Sequence, residues 1–352
     1  MAVRELMRGN DALAEAAIRA GCRCFLAYPI TPASEILEYM AEHMPQAGGI
    51  FMQPASELEG INIAFGAAAA GQRVMTSSSS TGISLMQEGL SNLAAAQLPC
   101  VVVNIMRGGP GLGTIPPSQA DYFQATKGGG HGDYHLIALA PASVQEMADL
   151  TVLAFDLADQ YRNPAIILAD GMLGQMMEPM VWCEIVPRFV EKSWATTGAG
   201  KGKRHLILAA PPTVPKLIEL NKELAAKYAE IRAKEQRWEA YHVDDATIIV
   251  VAFGTAARVA LQAVGQARAD GLKVGLIRPI TIWPFPEKAL CNLAQAKGIL
   301  TVEMNSGQMV EDVRLAVNGR IPVQFYGLGG GWVPDEESVR QAIDELRAGL
   351  GV

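Results

Sequence analysis

Short apolar runs alternate along this chain with segments of helical periodicity, and this alternation most narrows the possible folds. Strands separated by helices run parallel in one sheet, and the helices cover both faces. Such strands are buried on both sides, so they read as continuous apolar runs. The sequence therefore predicts an α/β fold, with strands over residues 22–27, 50–53, 73–76, 100–106, 136–140, 165–169, 247–253, 273–277, 299–302 and 323–325.

A change of composition divides the chain near its middle. Residues 198–203 form a basic, glycine-rich segment, and residues 214–242 are charge-rich with a helical period. We therefore expect a larger α/β domain over residues 1–190, a linker and bridging helix over 191–245, and a second α/β domain over 246–352. The second domain has about 100 residues, which is a common domain size.

The overall charge and hydropathy exclude several classes of protein. The 352 residues include 29 Lys and Arg against 36 Asp and Glu, and the net charge of −7 argues against binding to nucleic acid phosphates. Half of the residues are apolar, which excludes a disordered chain. No apolar stretch reaches the length of roughly 20 residues that a membrane span needs, and the N-terminus lacks the apolar core of a secretory signal. We expect a cytoplasmic protein that binds neither nucleic acid nor membrane.

The cysteines and histidines do not form a recognisable metal motif. The five cysteines include no Cys-x-x-Cys pair, so neither a zinc site nor an iron–sulfur cluster fits known spacings. His131 and His135 are four residues apart, but the glycines around them favour a loop over a helical metal pair. We therefore expect no metal site on this chain and five reduced, mostly buried thiols: Cys22, Cys24, Cys100, Cys183 and Cys291.

The candidate functional residues lie in the loops after the first four strands. In an open parallel sheet, ligands bind outside the carboxyl ends of the strands. The first strand ends in the turn Tyr28-Pro-Ile-Thr-Pro32, and the second leads to Glu57. The third ends in a hydroxyl-rich run over residues 77–82, and the fourth ends at Arg107. One rim is thus predicted to gather a proline turn, a carboxylate, hydroxyl groups and a guanidinium.

Two of these side chains have a purely structural alternative. Ser56 and Glu59 match a capping box, which leaves Glu57 free to face the crevice, although an acidic first turn also serves the helix dipole alone. Arg107 is either a surface arginine or a fork-shaped donor to a substrate carboxylate. Thr31 is predicted to be the N-cap of a helix over residues 34–44, with Pro32 as its first helical residue.

Several motifs occur together in this order, and they cover nearly the whole chain. Through them the chain resembles the α chain of the 2-oxoacid:ferredoxin oxidoreductases, and the combination is more specific than any single motif. The motifs are Tyr28-Pro-Ile-Thr-Pro32, Ser56-Glu57 with Gly66-Ala-Ala-Ala-Ala-Gly71, the run over residues 76–82, Arg107-Gly-Gly-Pro110, Leu276-Ile-Arg-Pro-Ile-Thr-Ile-Trp-Pro-Phe-Pro286 and Val302-Glu-Met-Asn-Ser-Gly-Gln308.

The resemblance implies a fold and a role for each site residue. It implies a thiamine-diphosphate pyrimidine-type parallel sheet domain, followed by a smaller transketolase-C-terminal-like α/β domain. Glu57 matches the glutamate that hydrogen-bonds the aminopyrimidine ring nitrogen and so assists removal of the thiazolium C2 proton. Thr31 and Arg107 match positions that hold the keto and carboxylate oxygens of the substrate. Tyr28 and Pro29 would shape the wall of the cofactor site.

The resemblance also implies that this chain is active only with partner subunits. It has no cluster cysteines, and it lacks the Gly-Asp-Gly and downstream asparagines that hold Mg²⁺ and the diphosphate. A β chain would supply that half of the thiamine diphosphate site, the Mg²⁺ and a [4Fe–4S] cluster. Since no γ-type segment is fused to this chain, separate γ and δ chains are expected. Ferredoxin and coenzyme A would be the further reactants.

The substrate remains open between two 2-oxoacids. The segment over residues 109–117 is most similar to the 2-oxoisovalerate enzymes, which form acyl-CoA and CO₂. A 2-oxoglutarate enzyme is the alternative, and it needs a second cation for the distal carboxylate. Two other functions compete with these: a non-catalytic scaffold subunit, and a different thiamine enzyme such as a transketolase.

Overall fold

Three β-sheets and the helices between them make up the computed structural model, which describes residues 4–182, 185–188, 190–198 and 204–351. The strands are β1 (Arg4–Arg8), β2 (Cys24–Leu26), β3 (Ile50–Met52), β4 (Val74–Ser78), β5 (Val101–Met106), β6 (Ile137–Leu139), β7 (Ala165–Asp170), β8 (Met177–Val181), β9 (Trp238–Tyr241), β10 (Ile248–Val251), β11 (Val274–Pro279), β12 (Thr281–Trp283), β13 (Gly298–Glu303) and β14 (Val323–Gly327). The helices are α1 (Gly9–Arg19), α2 (Ser34–His43), α3 (Glu57–Ala69), α4 (Thr81–Ala95), α5 (Tyr122–Thr126), α6 (Val144–Tyr161), α7 (Gly171–Gln175), α8 (Val214–Lys234), α9 (Gly254–Ala269), α10 (Met309–Val317) and α11 (Glu336–Leu350), and residues Glu287–Leu290 form a 3₁₀ turn.

The largest sheet has seven strands in the order β12-β6-β7-β5-β4-β2-β3. All its neighbours are parallel except β12, which pairs antiparallel with β6. Every residue of β5 and β7 is buried, as expected for central strands covered on both faces. The prediction of an α/β fold with parallel sheets is confirmed.

The second sheet has five strands in the order β14-β13-β10-β11-β9. Strands β10, β11, β13 and β14 are parallel, and β9 is an antiparallel edge strand on β11. Helices α9 and α11 pack together on this sheet and close a separate apolar core. This sheet therefore has its own hydrophobic centre, as a second α/β unit requires.

Several contacts join the two large sheets, and three of them lie near the strand ends that carry the site. Strand β12, which follows β11 in the chain, leaves the second sheet and extends the first. The Asp170 carboxylate at the end of β7 accepts a hydrogen bond of 2.8 Å from the Thr255 hydroxyl at the start of α9. The buried Gln119 side chain donates to the Phe253 carbonyl and accepts from the Met304 amide. These contacts bring the loops at the carboxyl ends of both sheets to one side of the molecule.

Some elements depart from the sequence expectation. The helix expected over residues 214–242 ends at Lys234, because residues Trp238–Tyr241 pair with β11 instead of continuing the helix. The antiparallel pair of β1 with β8 was not predicted. Of the cysteines, Cys22, Cys24 and Cys100 are buried free thiols and Cys291 is an exposed one, while Cys183 lies outside the described residues. The limits of the two domains stay a prediction.

Within the part of the chain that the structure describes, no helix combines the length and the apolar character that crossing a bilayer needs.

The imidazole of His135 lies in an aromatic cluster formed with side chains of α8 and β12. Its ring stacks on Trp283 with centroids 4.4 Å apart and meets the edge of Tyr228 at 5.2 Å. Burial, together with the nearby charge of Arg232, lowers the pKa of His135 from 6.5 to about 4. His135 is thus held uncharged where β12 joins the first sheet.

We expect the stability of the chain to fall as the pH drops from about 6.5 to about 4. In this range the unfolded state binds a proton at His135 and the folded state does not, so acid favours unfolding. The His135→Phe variant keeps a stacked ring but cannot titrate, and it should lose this part of the pH dependence. Melting temperatures measured across the range test this. The exposed His205→Gln variant should follow the unaltered chain, and a His135→Phe curve parallel to both would contradict the expectation.

Candidate active site

The predicted site residues lie at the carboxyl ends of four adjacent strands of the seven-stranded sheet. Strands β5, β4, β2 and β3 are neighbours in that order. The loops that follow them surround the N-terminus of α4, which begins at Thr81. A helix N-terminus at the carboxyl edge of a parallel sheet favours anionic groups, since its free amides point outward. The site is built around this helix end.

Glu57 is the first residue of α3, and its side chain points into the fold. Ser56 caps the helix by accepting from the Glu59 amide at 3.2 Å, as predicted, while the Glu59 carboxylate accepts from the Ala55 amide. Glu57 is only 5% exposed. Its contact within the described residues is a hydrogen bond of 3.3 Å from the Ser78 hydroxyl. A buried carboxylate normally accepts several hydrogen bonds, so Glu57 has acceptor capacity left for a bound molecule.

Gly82, in the first turn of α4, makes room for the Glu57 carboxylate. A Cβ atom at this position would lie 1.9 Å from the Ser78 hydroxyl oxygen and 2.4 Å from Glu57 Oε1. These distances are far below van der Waals contact. The placement of Glu57 therefore depends on the missing side chain of Gly82.

Arg107, at the end of β5, binds three neutral oxygen atoms with its guanidinium. It donates to the Thr31 carbonyl at 2.9 Å, to the Thr81 hydroxyl at 3.3 Å and to the Leu112 carbonyl at 3.0 Å. Its Nε is buried and has no partner among the described residues. Since these acceptors carry no charge, the guanidinium keeps a positive charge available to a carboxylate ligand.

The loop after β2 carries the other three predicted residues. Tyr28, Pro29 and Thr31 are all exposed. The prediction that Thr31 caps α2 is wrong, because the helix begins at Ser34 with Ala33 as its N-cap. The turn before the helix is instead fixed by side chains distant in sequence. Arg107 donates to the Thr31 carbonyl, and the Asn10 side chain donates to the Pro32 carbonyl at 2.9 Å.

The structure therefore brings the predicted residues together in two groups. Arg107 and Thr31 are directly bonded and lie on the Thr81 side of α4. Glu57 lies beside the next residue of that helix, Gly82. The two groups therefore lie beside consecutive residues of α4, Thr81 and Gly82. Tyr28, 38% exposed, and Pro29 lie on the same loop as Thr31.

The second sheet completes one wall of the cleft, and the sequence reasoning did not assign these residues a role. A cavity of about 310 Å³ lies in front of Arg107, between the glycine loop 108–112 and loops of the second sheet. Its far side is formed by Asn305, Ser306 and Gln308. The sequence shows the motif that ends at Gln308, but only the fold shows that it faces Arg107.

A larger cavity of about 570 Å³ lies elsewhere, between α6, α9 and the edge of the second sheet. Its buried Arg278 donates to both Glu146 and Glu239, so these charges satisfy one another. Among residues 4–182, 185–188, 190–198 and 204–351, no three His, Cys, Asp or Glu side chains are grouped closely enough to hold a metal ion.

Two protein-family models together cover nearly the whole chain. The model described as pyruvate flavodoxin/ferredoxin oxidoreductase, thiamine diphosphate-binding, matches residues 15–244. The chain belongs to the 2-oxoacid:ferredoxin oxidoreductase family. A second model, pyruvate:ferredoxin oxidoreductase core domain II, matches residues 246–339. The resemblance drawn from the sequence motifs is confirmed.

Curated relatives and solved structures agree with this family. The chain is 49% identical to the ketoisovalerate oxidoreductase subunit VorB of Methanothermobacter marburgensis, over 97% of each protein. It is 36% identical to the 2-oxoglutarate synthase subunit KorA of Methanocaldococcus jannaschii, over 96% of this chain and 99% of that one. It superposes on a 2-oxoglutarate:ferredoxin oxidoreductase from Magnetococcus marinus, solved with 2-oxoglutarate, coenzyme A and succinyl-CoA bound, with a TM-score of 0.88 and 27% identity, covering 97% of this chain and 65% of that chain. A split-gene transketolase, at 13% identity and a TM-score of 0.61, shares the fold.

We expect the Gly82→Ala variant to displace the Glu57 carboxylate, because the added methyl group would overlap it. A misplacement of about 1 Å in a catalytic group can cost roughly 10²-fold in rate. The measurement is the turnover of the holoenzyme assembled with this variant. Gly265→Ala is the matched control, since Gly265 lies in α9 with open space around its Cβ position. Equal activity of the two variants would contradict the role given to Gly82.

Proposed function

We propose that this chain is the pyrimidine-side α subunit of a ferredoxin-dependent oxidoreductase that decarboxylates 2-oxoisovalerate to acyl-CoA and CO₂. The observation that carries the proposal is the arrangement at the N-terminus of α4, where Glu57 and Arg107 flank adjacent residues of one helix turn. Glu57 is a buried hydrogen-bond acceptor, which suits the cofactor. Arg107 is a charged donor, which suits an anionic substrate bound beside it.

The residues around Glu57 fit thiamine diphosphate. Glu57 is buried with unused acceptor capacity, and Gly82 leaves its carboxylate unobstructed. Glu57 would accept a hydrogen bond from the aminopyrimidine ring, and Tyr28 and Pro29 would border the cofactor at the rim. When bound, thiamine diphosphate supplies a nucleophilic carbon and takes up the electrons left by decarboxylation. Burial strengthens the Glu57 interaction, since water cannot compete for the carboxylate.

Arg107 and Thr31 would hold the substrate. The guanidinium presents several donors in one plane, which suits the two oxygens of a carboxylate. Its positive charge is not neutralised by any of its three carbonyl and hydroxyl partners. The exposed Thr31 hydroxyl lies on the same loop and would donate to the keto oxygen. Together they would orient the bond between the carboxylate and the keto carbon toward the cofactor.

The cleft favours a substrate with one carboxylate. Arg107 is the single cationic side chain among the described residues that line it, and Asp121 adds a carboxylate of its own. A distal carboxylate, as in 2-oxoglutarate, would meet this negative charge without a second cation. Leu112, 79% exposed, offers an apolar contact from the glycine loop instead. The higher identity to the ketoisovalerate oxidoreductase subunits than to the 2-oxoglutarate synthase subunits agrees with this choice.

Other chains complete the proposed enzyme. A β chain would bring the diphosphate half of the cofactor site, Mg²⁺ and a [4Fe–4S] cluster, with separate γ and δ chains, and the complex would use coenzyme A and ferredoxin. Two observations support this. The cysteines in the described residues are free thiols and form no cluster ligand set. Tyr28 and Leu58, near Glu57, are exposed and available for a partner to cover. The free thiols also suit a cytoplasmic enzyme.

We expect Glu57→Gln to slow turnover of the purified complex by a factor on the order of 10²–10⁴, the usual effect of losing an acid–base group. The assay measures reduction of ferredoxin or a viologen dye with 2-oxoisovalerate and coenzyme A. Glu59→Gln is the control, because Glu59 is exposed and only caps the backbone of the same helix. Near-normal turnover of Glu57→Gln would reject the proposal.

The same assay tests the substrate. We expect kcat/KM for 2-oxoisovalerate to exceed that for 2-oxoglutarate by about 10²-fold or more, since an unpaired buried carboxylate costs several kcal/mol. Equal or greater use of 2-oxoglutarate would show that a partner chain supplies the second cation. The substrate assignment would then be overturned, while the role of Glu57 would stand.

A further inference from the structure

Ser80 and Asp121 occupy the N-cap positions of α4 and α5, yet neither side chain caps its helix. Serine and aspartate are among the strongest N-cap residues, and a cap contributes about 1 kcal/mol to stability. Instead the two side chains bond each other: the Ser80 hydroxyl donates to Asp121 Oδ2 at 2.6 Å. Because these side chains hydrogen-bond each other, neither α4 nor α5 has a side-chain N-cap.

Asn104, in the fully buried centre of β5, closes the contact into a ring. Its Nδ2 donates to the same Asp121 oxygen at 2.9 Å, and its Oδ1 accepts from the Ser80 amide at 2.9 Å. We call these three residues the Ser80–Asn104–Asp121 ring. The ring is attached to the site directly, because the Ser80 hydroxyl also accepts from the backbone amide of Arg107 at 3.0 Å.

The backbone of Ser80 is in an unfavourable conformation that the ring maintains. Its φ of +32° lies in the left-handed region, which a serine rarely adopts. Such a conformation costs on the order of 1–3 kcal/mol and persists only where neighbours fix it. The next two residues contact Arg107 and Glu57, so the angle at Ser80 sets how these two side chains lie relative to each other.

Asp121 is the member of the ring whose burial costs the most free energy, because it carries a carboxyl group. It lies in the wall of the cleft in front of Arg107. Burial raises the pKa of its carboxyl above the usual range, even though Ser80 and Asn104 both donate to it. Burial of a carboxylate costs free energy that hydrogen bonds only partly offset, so stability of the fold alone does not explain an aspartate here.

We propose that Asp121 is a positioning residue that, through Ser80, fixes Arg107 relative to Glu57 for binding of the substrate carboxylate. The proposal rests on the proposed function of Glu57 and Arg107. For the proposed substrate 2-oxoisovalerate, which has one carboxylate, Asp121 acts through Ser80 on the Arg107 backbone and on the start of α4. Its loss should therefore weaken binding of the 2-oxoacid more than it slows the chemical step.

The test compares three variants in the assembled holoenzyme. Asp121→Ala removes the shared acceptor, and we expect the KM for the 2-oxoacid to rise about tenfold with a smaller change in kcat. Asp121→Asn keeps one oxygen that can accept from both Ser80 and Asn104, and it should restore KM to near the unaltered value. Ser80→Ala removes the link to Arg107 with little change in volume, and it should raise KM as Asp121→Ala does, which covers the case in which Asp121→Ala fails to fold.

Asp335→Ala is the matched control, because Asp335 is an aspartate that does cap its helix, α11, away from the cleft. It should lower the melting temperature without changing KM. An unchanged KM in both Asp121→Ala and Ser80→Ala would overturn the positioning role, and so would an Asp121→Asn variant as defective as Asp121→Ala. If Glu57→Gln is also normal, the proposed function fails; if Glu57→Gln is impaired, only the positioning role fails.

Discussion

The guanidinium of Arg107 ties together the loops from which the site is made. It binds the Thr31 carbonyl after β2, the Thr81 hydroxyl at the start of α4 and the Leu112 carbonyl in the glycine loop after β5. One planar cation with several donors can hold three acceptors at once, which a lysine could not do in the same geometry. The shape of the cleft follows from this one side chain.

The parallel sheet explains why these loops meet at all. Strands β2, β4 and β5 are adjacent and point the same way, so their following loops share one edge. Glu57 reaches that edge from α3 and is buried only because Gly82 leaves space beside it. The second sheet then adds its own loops through Gln119, whose side chain hydrogen-bonds the backbone of Phe253 after β10 and of Met304 after β13. The site is thus a product of both sheets, although the residues predicted for it come from the first.

Much of the fold and part of the site could be predicted from the sequence, for identifiable reasons. The central strands are buried on both faces, so their apolar runs are continuous and easy to recognise, and the Ser56 cap places Glu57 at a helix start. Helix α2 lies where the sequence predicts it, but its N-cap is Ala33 and not Thr31. The carbonyl oxygens of Thr31 and Pro32 bind distant side chains, which local propensity does not reveal. The edge strand β9 was read as helix because its charged neighbours share the helical period. In the Ser80–Asn104–Asp121 ring, Asn104 is 24 residues and Asp121 is 41 residues from Ser80 in the sequence. No local sequence pattern spans such distances.

The return of β12 to the first sheet affects how this chain could be divided. Residues Thr281–Trp283 belong by position to the C-terminal half but pair with Ile137–Leu139 in the N-terminal half. A gene split at the linker would leave β6 with a bare edge, and bare edges invite pairing with foreign strands. Strand β12 thus protects an edge of the N-terminal half, and two separately made halves would have to associate before that edge was covered.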